Sequence, residues 1–204
     1  MLNMHYYEDP QSREKKLTRD FVDIHQSTLC QVLGLSQGDK VVVELQKSKY
    51  GASGDVDIAV WKNPNSENQK LIGIEIKSLF LEQGGKFKSE KLLKHNKQVK
   101  ALEKEGWDYV YFFDFIVTIP ANNWFHPQTF EGHDNYRKTV ESKYGHVVFQ
   151  INAVAGKLES MAGSISRHVI QEAKALEAKN GRLKIVEAFK NFDFSFSSVI
   201  VDSI

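Results

Sequence analysis

One cysteine, Cys30, stands in 204 residues, so no internal disulfide can form and a reducing compartment is favoured. Charge of one sign is lacking too: 27 basic and 26 acidic residues leave a net charge of +1. Global charge therefore does not announce nucleic acid, and any anion-binding surface has to be local. The most apolar run, "YVYFFDFIVTI" (Tyr109–Ile119), is too short to span a bilayer and contains Asp114. "MLNMHYYEDP" has no basic segment followed by an apolar one, so it does not read as a signal peptide. The expectation is a soluble, cytoplasmic chain with no membrane partner. There are no internal repeats or low-complexity tracts. "GASGD" is followed by no GK[ST], so it is no P-loop, and no GxSxG elbow occurs. His126, His133, Asp134 and His146 are spaced for no standard zinc site.

Forty-one per cent hydrophobic and 26% charged residues are ordinary for a globular chain. No stretch marks a linker, so one domain over residues 1–204 is expected. Asp9-Pro10 reads as an N-cap with proline at the first helical position. Leu17, Phe21, Ile24, Leu29 and Val32 then form an apolar stripe, and Gly34 stops the helix. "KVVVELQK" (Lys40–Lys47) reads as a strand, "SKYGASG" as a turn or flexible loop, and "DVDIAVW" (Asp55–Trp61) as a second strand. "KNPNSENQK" is a turn, and "LIGIEIKSL" (Leu71–Leu79) a third strand. A helix over Ser89–Glu105 and a strand over Asp108–Val117 follow. The fold class is α/β, with a mixed central sheet flanked by helices. A long insert is expected over Ile119–Gly145, with a short helix near Asn135–Tyr144. Then come a strand at "HVVFQINAV", a helix over Lys157–Lys179 and a half-exposed strand in "FDFSFSSVIV".

The second and third strands carry charge where a covered strand is apolar. Side chains alternate faces along a strand. Val56, Ile58 and Val60 then share one face, and Asp55, Asp57, Ala59 and Trp61 the other. Ile72, Ile74 and Ile76 oppose Gly73, Glu75 and Lys77 in the same way. The short connection makes the two strands a hairpin, so Asp57, Glu75 and Lys77 converge on one side, with Gly73 leaving room beside them. Adjacent carboxylates on a covered face are costly, since each is desolvated and raises the other's pKa. A divalent cation such as Mg²⁺ relieves both and activates water, with lysine beside it for phosphate or the attacking water. The competing reading is a sheet edge with a solvent-facing Glu–Lys pair.

"GDVDIAV" followed by "IGIEIKS" resembles the G-x-x-D and E-x-K strand elements of the PD-(D/E)XK nuclease superfamily. The order helix, three strands, helix, strand is similar as well. The resemblance covers about residues 9–117, and residues 118–204 carry additional strands and helices. It implies a restriction-endonuclease-like core and a Mg²⁺-dependent deoxyribonuclease, in which Mn²⁺ substitutes, serving restriction, phage defence or repair. By resemblance Asp57 and Glu75 hold the metal, the Ile76 backbone carbonyl adds a ligand, and Lys77 is the catalytic lysine. The superfamily often places an acid on its first helix, and Glu14 on the apolar stripe is the candidate here. The alternative for Glu14 is a first-turn acid favoured by the helix dipole. Gln98 is the candidate for a helix residue facing the site, though Leu102 stands where one variant of the motif has tyrosine. Lys88, Lys91, Lys94 and Lys97 make that region basic, for DNA phosphates or simply as a solvated helix face. A homodimer is implied by resemblance only. The other function considered is a non-catalytic nuclease-like module that binds nucleic acid or a partner protein.

Overall fold

In the computed structural model, residues 10–82, 95–119, 140–152, 165–177, 179–194 and 198–200 are described. The elements are α1 (Pro10–Ile24), α2 (Gln26–Leu33), β1 (Lys40–Gln46), a 3-10 turn (Lys47–Tyr50), β2 (Asp55–Lys62), β3 (Lys70–Glu82) and α3 (His95–Glu105). They continue as β4 (Tyr109–Ile119), β5 (Gly145–Asn152), β6 (Ile165–Gln171), α4 (Arg182–Lys190) and β7 (Ser198–Ile200). One mixed sheet carries the strand order β6-β5-β4-β3-β2-β1-β7. β3, β4 and β5 run parallel, while the remaining neighbours are antiparallel. The chain is thus α/β, with a mixed sheet flanked by helices, and β2 and β3 form the expected hairpin. No described helix is long and apolar enough to cross a membrane.

Strand alternation divides the interior into two cores. Ile58, Ile72, Ile74, Phe113 and Phe149 pack beneath α1 and α2, around Phe21. Ala59, Leu71, Phe112 and Trp61 pack beneath α3 and α4, around Leu102 and Phe189. The Phe21 ring lies 4.8 Å from Phe149 and 5.0 Å from Phe115, centroid to centroid. Such a buried ring contributes about 1.5–3 kcal/mol by area alone, and each favourable ring pair about 0.5–1.5 kcal/mol more.

Several expectations are corrected. The first helix is two helices, broken at His25 (φ −111°, ψ 32°). At about 100° per residue, a straight helix would turn Leu29 and Leu33 roughly 80–120° away from Phe21. The break lets both halves face the sheet, and it leaves Ile24 46% exposed. Gly34 ends α2 in the left-handed conformation (φ 60°), as expected. Of the two readings of "SKYGASG" the turn holds: Lys47–Tyr50 is a 3-10 turn with Lys47 and Tyr50 buried. Within the helix expected over Lys157–Lys179, Ile165–Gln171 is instead strand β6, paired antiparallel with β5. Ile165, Val169 and Ile170 are β-branched and suit a strand, and pairing with β5 supplies its hydrogen bonds. In the helix expected near Asn135–Tyr144, the described part, Val140–Tyr144, is a turn closed by Tyr144 N–H to Glu141 O at 3.1 Å. α4 lacks a start signal in the sequence, because its N-cap is Gly181, which offers no capping side chain. In the described part of the late strand, Ser198–Ile200 pairs with β1, while Phe192 and Phe194 lie in a turn with their rings 5.3 Å apart.

Candidate active site

The two strands bearing the charges do not alternate evenly. Ile58 and Val60 belong to the α1/α2 core, but Val56 packs in the other core with Ala59 and Trp61. The same reversal occurs across the ladder, where Leu45 joins Val42 instead of Val43. The register runs Val43↔Ile58 and then Leu45↔Val56. Between them Glu44 takes φ 56°, a left-handed conformation that costs a non-glycine residue about 1–2 kcal/mol. Arg19 holds it by donating Nη2–H to Glu44 Oε2 at 2.7 Å. Both strands therefore flip at Glu44 and Asp57, which corrects the single face expected for Val56, Ile58 and Val60.

The flip coincides with a fork. Pairing of β2 with β3 ends at Ile58↔Ile74. Past that rung the Asp57 carboxylate replaces the neighbouring backbone, accepting the Ile76 N–H at 2.7 Å. Asp57 is half-buried. Burial is the largest cause raising its pKa from 3.8 to about 6; the Ile76 hydrogen bond and Lys77 oppose the rise, and Glu14 and Glu44 add to it. Glu75 projects to the α3 side and is 1% exposed. Burial first, then repulsion from Asp57, raises its pKa from 4.5 to about 8, against the pull of Lys47 and Lys77. The two acids expected to act together are thus electrostatically coupled.

Lys77 and Glu14 join them. Lys77 Nζ donates to Glu14 Oε1 at 2.9 Å and to the Ile76 carbonyl at 3.0 Å. Glu14 Oε2 also accepts the Ser78 N–H at 3.3 Å. Glu14 therefore ties α1 to β3 at the E-x-K tripeptide. Asp55 is exposed and lies 3.6 Å from Lys15 Nζ, as an ordinary surface ion pair. Gln98 and Lys97 are exposed on α3; no hydrogen bond or ion pair among the described residues joins Gln98 to the acids. Lys88, Lys91 and Lys94 lie outside the described residues. Gly73 has a different reason from the one expected. A Cβ there would stand 2.9 Å from Trp107 Cδ2 and 3.2 Å from Leu102 Cδ1, so glycine lets α3 and Trp107 sit directly on β3 beside Glu75.

The sequence concealed a second group around Glu75. Lys47 Nζ lies 3.9 Å from Glu75 Oε1 and 3.2 Å from Glu105 Oε1, while Tyr50 O–H donates to Glu105 Oε2 at 2.8 Å. Only the tyrosine before Gly51 hinted at an anchored turn. On the same sheet face, β4 and β5 bury His146 Nε2 at 2.6 Å from Asp114 Oδ2, with Asp114 in register with Lys77.

Among the described residues no group of three or more His, Cys, Asp or Glu side chains is arranged to hold a metal ion. The Asp57–Glu75 pair has the donor chemistry of a smaller site: two hard oxygen donors whose charged forms are disfavoured by burial and, at Glu75, by Asp57. The Ile76 carbonyl already accepts Lys77, and its second lone pair is the remaining backbone donor. Neither the models of known protein families nor the curated proteins give a match to this chain.

Proposed function

We propose that the protein is a metal-dependent deoxyribonuclease that hydrolyses DNA phosphodiester bonds at Asp57, Glu75 and Lys77. The observation that carries this reading is the fork: Asp57 leaves the sheet ladder to take the Ile76 N–H, next to a buried Glu75 whose pKa it raises. An arrangement kept only for stability would not place two carboxylates where each ionises at a cost. The expected restriction-endonuclease-like core is part of this proposal, as are a homodimer and a cytoplasmic setting.

In this reading Asp57 and Glu75 bind Mg²⁺ or Mn²⁺, with the Ile76 carbonyl available as a further donor. The ion, when bound, supplies Lewis acidity and a water of lowered pKa. Asp57 is aimed by the Ile76 N–H, so its free oxygen has a fixed direction. Lys77 spends one proton on Glu14 and one on the Ile76 carbonyl, and an ammonium has three. The third is left for a phosphate oxygen or the attacking water. Glu14 is the positioning residue that holds the ammonium beside β3. Lys97, with Lys88, Lys91 and Lys94, supplies salt-dependent contacts to DNA phosphates.

The test is incubation of purified wild-type protein with supercoiled plasmid and with single-stranded DNA, with Mg²⁺, with Mn²⁺ and with chelator. Cleavage is expected only with metal, and is lost in Asp57→Ala and Lys77→Ala. If the folded wild type leaves both substrates intact in either metal, the enzyme reading fails for DNA. Metal-independent retention of DNA would then point to a binding module.

A further inference from the structure

We propose that Glu105, steadied by Tyr50, holds the Lys47 ammonium off Glu75 and so keeps the Glu75 carboxylate open to a divalent cation. The inference rests on the metal reading above and assigns three residues to the support of that site. A lysine is rarely buried unless paired, yet the Lys47 side chain is 6% exposed. Two acids compete for it. At 3.2 Å Glu105 is within hydrogen-bond reach, whereas Glu75 at 3.9 Å is beyond it.

Backbone geometry sets the choice. Lys47 N–H donates to Gly54 O at 2.8 Å, and Lys47 O accepts Ala52 N–H at 2.9 Å, which fixes the base of the side chain. Tyr50 fixes the other end. It is 8% exposed, its ring lies edge-on to Trp107 at 6.3 Å, and its hydroxyl holds the second Glu105 oxygen at 2.8 Å. Among the described residues the Glu75 carboxylate accepts no hydrogen bond. The chain Tyr50–Glu105–Lys47 therefore places a cation near Glu75 without filling its oxygens. Outer groups of this kind commonly change metal affinity about 10–100-fold when altered.

An inverted effect follows. Removing the charge of Glu105, which is not a ligand, leaves Glu75 as the nearest acid to Lys47 among the described residues. The ammonium then seats on Glu75 and competes with the metal. Calorimetric titration with Mn²⁺ at fixed pH and salt reads this directly, with thermal melts to confirm folding of each variant. Glu105→Gln is expected to weaken Mn²⁺ binding at least tenfold, and Lys47→Met added to it to bring binding back within threefold of wild type. Tyr50→Phe, which keeps the ring, is expected to weaken binding about threefold and carries the test if Glu105→Gln does not fold. A purely structural role for Glu105 would not be rescued by deleting a second buried group. Wild-type affinity in Glu105→Gln, a double variant as weak as the single, or unchanged binding in Tyr50→Phe overturns the inference while leaving the metal reading intact. Folded wild-type protein that binds no Mn²⁺ overturns both.

Discussion

Asp57→Asn in the metal-free protein separates electrostatic cost from packing. The Asp57 pKa is raised from 3.8 to about 6, so the folded chain holds its proton more tightly than the unfolded chain does. Stability from this group is complete below about pH 4 and is lost as pH rises through 6. A shift of about two pH units at about 1.4 kcal/mol each makes ionised Asp57 cost about 3 kcal/mol at pH 8. Asparagine keeps an oxygen for the Ile76 N–H and removes the charge, and it also removes the repulsion that raises Glu75. Its half-buried NH₂ returns about 1 kcal/mol of desolvation. The net gain is about 2 kcal/mol at pH 8, or about 4–8 °C in Tm for a chain of this size. Circular-dichroism melts in chelator at pH 4 and pH 8 measure it. Equal gains at the two pH values, or a lower Tm at pH 8, would mean that Asp57 does not ionise at a cost in the folded chain.

Mg²⁺ or Mn²⁺ at 100 times its Kd should stabilise the wild type by about 2.7 kcal/mol, and Asp57→Ala should abolish the rise in a dye-based melt. The rise should be larger at pH 8 than at pH 5, because protons compete for both carboxylates at the lower pH. Lys77→Ala should remove cleavage while Mn²⁺ binding by calorimetry persists; a variant that instead fails to fold would make Lys77 structural. Gly73→Ala forces a methyl against Trp107 and should cost about 1–3 kcal/mol in urea denaturation.

What was legible in the sequence was what period-two geometry dictates. In "LIGIEIKS" the isoleucines had to share a face opposite Glu75, and they do, because strand alternation is a backbone property. The helix–strand order of residues 10–119 follows from long periodic segments. The Asp57 fork was hidden because it depends on Glu44 adopting φ 56°, which no side-chain pattern announces. Lys47 was hidden for a related reason. It has the identity of a surface residue, and only the fold of the 3-10 turn carries it beneath the sheet to Glu105 and Glu75. Glu14 was visible as an acid on an apolar stripe, but its bond to Lys77, 63 positions away, is a tertiary fact. In β6 the edge position leaves Arg167 and Val169 exposed, so no buried apolar face marks the strand. Its strand state comes from β5, which is non-local.

Anomalous diffraction from crystals soaked in Mn²⁺ near pH 8 decides whether Asp57 and Glu75 hold a metal ion. One strong peak is expected between the Asp57 and Glu75 carboxylates, beside Lys77, and it should disappear in Asp57→Ala. No peak there at saturating Mn²⁺, or a peak that survives the substitution, would contradict a metal held by these two acids.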